Sequence, residues 1–535
     1  MRAWALALAV GVLLPLAGWI ADGCQGLLGW SGVGRGEFES WATVEYWLPI
    51  HVTRRAAEVG WVWAFLAAPA QMNIGNGLDA WLTSIPAKAL FGVVAGHNLR
   101  VVLVLLANAV GGMVLGRVLA PGAQWTAAAL ALALALNPLT LWDVAESRFA
   151  QALVAPMFVY LAALLVLARE PSRRHAVRAG IALGVTGVFY WYWGMFVGLL
   201  GMLTVVATRD RRLHLTHLVL GGVVALPFAA PFAFNQVVDK PYGTRFPPLA
   251  EIRVPIEGML GPPGPGLMVS QSVDLAEPLT QRGGPAVWWP WVGLAVAGLA
   301  VTLRKRGGAL EPVVAVHALC LWVLALGPYL VWQGAPRDVA LPFQAWYQYV
   351  PAMSRFNWPG RMLVPVFIDL VVLAGPLLVS ARGAAAAVVA LALWSQGMTG
   401  LSLTHVPVRV PAFYRNPPGD GGIIEASLPW NSSVAGWHQS WHGRKSLGTM
   451  EDTLLGNRVR YAIECIRNRQ PHVRFGRHDV AELQAAGYRW LVVLNIDPNV
   501  DALRKTFTEG LRAAPAFRDN EVTAWDLTRV ESKTP

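Results

Sequence analysis

The sequence predicts a polytopic α-helical membrane protein with a small α/β domain at its C-terminal end. Three observations predict it. Residues 1–401 contain about ten apolar stretches, each close to the roughly 20 residues that a hydrocarbon core about 30 Å thick requires. Lys and Arg cluster in the turns between those stretches. Residues 402–535 then change character, with more charge and only short apolar runs. Composition agrees: 55% of the residues are hydrophobic and 14% are charged, where a soluble domain carries about 25% charge. The 25 Trp fit a chain with many headgroup-level contacts. A net charge of +11 does not mark a nucleic-acid partner here, because much of the excess lies in turns where Lys and Arg set orientation. Cys24, Cys320 and Cys465 form neither a disulfide framework nor a metal-spaced set.

Residues 3–20 read as an uncleaved first helix, since so many spans follow. Residues 22–97 are half polar, Trp-rich and full of helix breakers, which predicts a folded loop with interfacial helices. Further spans are expected at 99–119, 124–139, 149–168, 215–234, 287–303, 313–332, 362–379 and 384–401. The run 177–207 is too long for one span and short for two. Its aromatic centre, Tyr190-Trp191-Tyr192-Trp193-Gly194, predicts a hairpin of two short or re-entrant helices. The total is then about 10–12 transmembrane or re-entrant helices. With that hairpin in place, Arg2, Arg117, Arg169, Arg173, Arg209, Arg304 and Arg382 all fall on one side, the cytoplasmic one by the positive-inside rule. The N-terminus is then cytoplasmic. Residues 22–97, 139–148, 235–285, 334–357 and 402–535 are outside.

In the tail, 422–428, 488–496 and 522–527 read as strands and 499–509 as a helix. Asp479 and Glu482 open another helix as an acid cap and an acid three residues on. No nucleophile elbow, P-loop or dinucleotide-binding glycine pattern is present.

Chemistry is sought in the outer segments. Glu37 and Glu39, followed by Trp41 and Glu45, lie in the first loop, where a carboxylate can take a proton from an acceptor hydroxyl or hold a divalent cation. They are equally ordinary as solvated loop acids. Asp143, Glu146 and Arg148 sit at the membrane edge, where charge is costly unless paired or in water. They read either as a site or as an internal pair closing the turn. Arg355 and Arg361 flank an outer helix start, which suits a phosphate, headgroup snorkelling or an internal acid. In the tail, Trp437, His438, Trp441 and His442 combine aromatic faces with donors, as a sugar ring needs. His438 and His442 have the i, i+4 spacing of zinc ligands, but the Glu such a motif requires is missing and Gly443 argues against a helix. Asp369 is an acid within a span, with His317 in another span either pairing it or bonding a backbone carbonyl.

Three local patterns resemble the GT-C superfamily of polytopic membrane glycosyltransferases, in particular bacterial members with a C-terminal extracytoplasmic domain. Gly36-Glu37 with Trp41 and Trp47-Leu48-Pro49 resembles the family's Gly-Asp entry segment, with Glu in place of Asp. Glu146 followed by Pro156 resembles its acid-then-Pro pattern. Pro351, Arg355, Pro359 and Arg361 resemble its P…R-x-x-P-x-R segment. In the tail, Gly422 to Pro429 with Gln439 and His442-Gly443 resembles its strand and Q…H-G segment. The resemblance covers nearly the whole chain. It implies a GT-C-like domain over 1–401, an extracytoplasmic domain over 402–535, and a bacterial inner-membrane location.

The implied reaction moves a sugar from a polyprenyl-phosphate donor to an outward-facing acceptor, with inversion. Glu37 or Glu39 would be the base. Glu146 or Asp143 would position the acceptor or a divalent cation, with Arg148 in the same turn. Arg361 and Arg355 would stabilise the departing lipid phosphate, and Trp441 and His442 would meet sugar. The expected partners are membrane lipid and a lipid-linked sugar donor, not nucleic acid. A lipid-linked substrate transporter and a non-catalytic assembly subunit on the same scaffold are the competing readings.

Overall fold

The computed structural model describes residues 2–21, 31–34, 85–145, 148–239, 245–252, 265–275, 285–304, 310–350, 356, 358–380, 384–399, 403–407, 410–426, 438, 444, 446–447, 477–495 and 500–530. The membrane part is built from α1 (Arg2–Leu13), α2 (Ile85–Leu119), α3 (Gln124–Ala135), α4 (Pro138–Ala145), α5 (Ala155–Arg169), α6 (Arg173–Phe189), α7 (Trp191–Ala207), α8 (Arg211–Asp239), α9 (Pro285–Arg304), α10 (Glu311–Ala325), α11 (Leu363–Ser380) and α12 (Ala384–Thr399). By length and apolarity, Val94–Leu119, Phe149–Arg169 and Pro359–Val379 each suffice to cross a membrane, and the bent pair α3 and α4 makes a fourth crossing if taken together. Shorter apolar helices complete the bundle, which is polytopic and helical.

Charge marks one end of it. The Arg117 guanidinium lies 4.6 Å from the centre of the Trp4 ring. Arg169 donates to the Val118 carbonyl at 2.6 Å. The start of α1 and the ends of α2 and α5 therefore share one end, as their basic residues predict.

The expected hairpin breaks where the aromatic run begins. Tyr190 is extended (φ −152°, ψ 106°) between α6 and α7. Gly194 lies against Gly187 across the break: a Cβ on Gly194 would sit 2.4 Å from the Gly187 Cα.

Three expected spans are corrected. The helix expected at 3–20 is interrupted by a turn at Leu14, Pro15 and Leu16 and resumes at Ala17–Ala21. The span expected at 124–139 ends at Ala135, and the chain bends by 43° into α4. The Asn137 side chain accepts from the Leu139 amide at 3.0 Å and starts α4, so much of the expected outer turn 139–148 is a buried helix. The span expected at 313–332 stops at Ala325. Gly327 takes a left-handed φ of 80° and Pro328 follows, so the apolar residues beyond become strand β2 (Tyr329–Trp332) of a hairpin with β3 (Ala335–Ala340). Its two-residue turn, Gln333 and Gly334, has φ of 51° and 74°, as a primed turn requires. Asp274 accepts from both turn amides, at 3.1 and 2.5 Å.

The tail forms a mixed five-stranded sheet in the order β6-β5-β7-β9-β8. Its strands are β5 (Gly422–Glu425), β6 (Ser446–Leu447), β7 (Tyr488–Leu494), β8 (Phe517–Arg518) and β9 (Val522–Asp526). Helices α13 (Arg477–Ala485) and α14 (Val500–Leu511) pack on it through Val480, Leu483, Phe507 and Leu511. The opposite face packs on Val410, Phe413 and Tyr414, and on Val94 of α2, which seats the sheet at the N-terminal end of α2. A two-stranded ladder, β1 (Ser31–Gly34) with β4 (Thr404–Pro407), joins the first loop to the start of the tail.

Candidate functional site

Polar residues from three separate stretches meet in the membrane part. Asp143 is fully buried on α4. The chain then turns, the Arg148 amide donating to the Asp143 carbonyl at 2.7 Å, and Arg148 precedes a short helix at Phe149–Ala152. The Arg148 guanidinium stands 3.8 Å from the Asp143 carboxylate, an ion pair with both side chains buried. It also lies 4.9 Å from the centre of the Trp358 ring.

Arg361, in the turn Pro359–Met362 that leads into α11, lies 4.8 Å from the same ring. It donates to the Tyr190 hydroxyl at 3.1 Å. One indole thus carries two guanidinium groups, and the tyrosine at the helix break holds one of them in place.

Packing fixes this arrangement. Asn108 of α2 spans the gap between the short helix and α5, donating to the Ala152 carbonyl at 2.7 Å and accepting from the amides of Val154 and Ala155, each at 3.0 Å. Trp193 donates to the Gln151 carbonyl at 3.2 Å, tying the hairpin to the Arg148 segment. Tyr192 and Phe196 meet Phe356 at ring distances of 4.6 and 5.3 Å, tying the hairpin to the Arg361 segment. Further in, His317 of α10 and Asp369 of α11 are 2.7 Å apart, and the other imidazole nitrogen meets the Phe196 carbonyl at 2.9 Å. The two alternatives open for His317 in the sequence are both realised.

The electrostatics favour an anion. Among the described residues this locus assembles Arg148 and Arg361 with one acid, Asp143. Arg100 of α2 adds a third guanidinium, fully buried and 4.7 Å from the centre of the Phe149 ring, which His97 also meets at 5.0 Å. Guanidinium groups in a dry setting suit a phosphate oxygen.

The structure therefore brings together three of the residues expected from sequence: Asp143, Arg148 and Arg361. Glu37, Glu39, Glu146, Arg355, Trp441 and His442 lie outside the described residues. His438 is turned inward, its Nδ1 3.0 Å from the Glu425 carboxylate and its ring stacked on Tyr414 at 4.0 Å. It is buried and belongs to the domain interior. Burial, and then the Glu425 carboxylate, push the Tyr414 hydroxyl well above its usual range, so Tyr414 stays neutral beside that pair. No group of three or more metal-ligating side chains occurs among the described residues.

Sequence reasoning passed over Tyr190, Arg100 and His97. The signal for the last two was a His-Asn-Leu-Arg run opening an apolar helix, since an ionisable residue at membrane depth is a functional candidate by default.

A bundle with a broken central hairpin thus carries a buried cationic locus and a mixed-sheet tail. Solved structures place the fold. The chain is similar to ArnT from Cupriavidus metallidurans in its apo state, at 16% identity over 99% of both chains with a TM-score of 0.52. It is also similar to the arabinofuranosyltransferase AftD from Mycobacteria, at 14% identity and a TM-score of 0.58, over 98% of this chain and 40% of that one. An oligosaccharyltransferase from Archaeoglobus fulgidus is similar over 92% of this chain and 69% of its own, at 12% identity and a TM-score of 0.48. No family model and no curated protein matches the sequence. The fold is that of the GT-C membrane glycosyltransferases.

Proposed function

We propose that this protein is a glycosyltransferase that moves a sugar from a polyprenyl-phosphate donor to an acceptor at the outer face of a bacterial inner membrane. One observation carries the reading: Arg148 and Arg361, distant in sequence, converge on Trp358 beside Asp143 in a fold of this type. Negative charge grows on the lipid phosphate as the glycosidic bond breaks. A prearranged guanidinium in a water-poor site stabilises that charge without reorganising. Arg361, held by Tyr190, is assigned to this phosphate, with Arg355 from the same segment. Arg148 shares the ring and offsets Asp143, which would orient the acceptor.

The base is assigned to Glu37 or Glu39, and Glu146 would position the acceptor or a divalent cation through its oxygens. The domain at 402–535 would face outward and cover the acceptor side. Reconstituted protein incubated with sugar-labelled polyprenyl-phosphate donors and an outer-envelope acceptor fraction tests this. Covalently labelled acceptor, diminished in Asp143→Asn and Arg361→Ala, supports transfer. Movement of label across the bilayer with no covalent product would mean transport instead.

A further inference from the structure

A groove of about 900 Å³ runs along the bundle between α2, α5 and α6. The stripe that α6 turns into it begins with His175 and Arg178 and continues as Ile181, Ala182, Val185 and Phe189. Those positions recur every three or four residues, so they form one helix face about 20 Å long. The facing walls are apolar throughout, from Leu103 to Val118 on α2 and from Leu153 to Val166 on the α5 side. Polar side chains line only the two ends.

The ends differ. At one, Arg100 is fully buried with its guanidinium against Phe149. At the other, His175 is half-buried and Arg178 exposed, beside the turn that carries Arg169, Arg173 and Arg174 against a single acid, Glu170. There Arg169 is engaged with the Val118 carbonyl, Arg117 with Trp4, and His175 through Nδ1 with the Glu170 carbonyl at 2.7 Å, which leaves its Nε2 for a ligand. Arg178 makes no ion pair or hydrogen bond among the described residues. A cationic mouth continued by a long apolar slot has the shape and polarity of one lipid.

The geometry points to a bound anionic phospholipid, its phosphate on Arg178 and His175 and one acyl chain in the groove. Basic pockets between helices at a membrane surface recognise anionic headgroups, and each Lys or Arg near the surface contributes about 1 kcal/mol. A zwitterionic lipid would gain no net attraction from the surplus of arginines. A polyprenyl-phosphate donor bound for transfer would need its phosphate by Arg361, and the uncommitted cation lies at the mouth beside the basic turn. The inference stands apart from the sugar-transfer reading.

The test uses the full chain in nanodiscs of phosphatidylcholine doped with phosphatidylglycerol, with retained lipid identified by native mass spectrometry. Wild type is expected to retain one phosphatidylglycerol per chain. Arg178→Ala weakens retention by about fivefold, the double variant with His175→Ala weakens it further, and Arg178→Lys keeps most of it. Val185→Trp, which fills the slot and leaves Arg178 and His175 in place, abolishes retention. Should the double variant fail to fold, Arg178→Gln alone provides the headgroup arm. Retention of phosphatidylcholine as often as phosphatidylglycerol, retention unchanged in the headgroup and slot variants, or polyprenyl phosphate in the groove would each overturn the inference.

Discussion

Arg361 donates to Tyr190 across 171 residues of sequence, joining the start of one membrane helix to the break between two others. Tyr190 is extended because it separates α6 from α7, and that break lets its hydroxyl meet the guanidinium. The first expectation concerns this contact. Arg361→Ala should slow transfer by about 10²–10³, the usual cost of losing one preorganised stabiliser of transition-state charge. Arg361→Lys should not rescue it, since an ammonium cannot both lie flat over Trp358 and reach Tyr190. Tyr190→Phe should lose less than Arg361→Ala. Steady-state rates on reconstituted protein check all three.

The pair His317 and Asp369 is buried at the junction of α7, α10 and α11. Removing either partner leaves the other alone in a dry interior. His317→Ala and Asp369→Ala should each destabilise by about 2 to 4 kcal/mol, and the double variant by clearly less than their sum. Thermal unfolding in detergent measures this. Strict additivity would mean that the two side chains do not interact.

Helix α9 crosses α11 at Gly298, where an added Cβ would sit 2.0 Å from the Leu373 carbonyl oxygen. Alanine improves helix propensity by about 1 kcal/mol, but this collision is with backbone and cannot be relieved by a rotamer. Gly298→Ala should therefore be net destabilising, by about 1 to 3 kcal/mol. Gly293→Ala, on the same helix with open space around it, should not be. Melting temperatures of the two variants separate the effects.

In the tail, Asp526 ends β9 facing Arg489 on β7, with Nη2 to Oδ2 at 2.9 Å, and accepts from the Thr528 amide at 3.1 Å. Burial pushes its carboxyl up, but the hydrogen bonds from Arg489 and Thr528 outweigh this and hold it below the ordinary carboxylate range. Its contribution is thus complete above its unfolded value near 4 and is lost as pH falls through the lower folded value. Asp526→Asn should be less stable than wild type at neutral pH, with the gap closing in acid. Melting curves of the full chain across pH check the sign, and a gap that widens in acid would refute it.

What the sequence made legible was whatever has a local signal. The hairpin break was announced by consecutive aromatics, and the tail strands by short apolar runs between turns. The basic turns at one end were announced by charge. The end of α10 was missed because Tyr329-Leu330-Val331-Trp332 suits strand and helix equally, and only Gly327-Pro328 told them apart. The helix α4 was missed because Asn137 breaks an apolar run without interrupting its hydropathy. The pairing of β1 with β4 joins residues about 370 apart and leaves no local trace. The site was half legible: Asp143, Arg148 and Arg361 could be chosen as charges at membrane edges. That Trp358 and Tyr190 unite them follows only from helix packing.

The central claim is that Arg361 serves the leaving lipid phosphate. Single-turnover release of polyprenyl phosphate from a sugar-loaded donor, with acceptor present, tests it most directly. Release should be at least about 100-fold slower in Arg361→Ala than in wild type at an unchanged melting temperature. Equal release from a folded Arg361→Ala protein would contradict the claim.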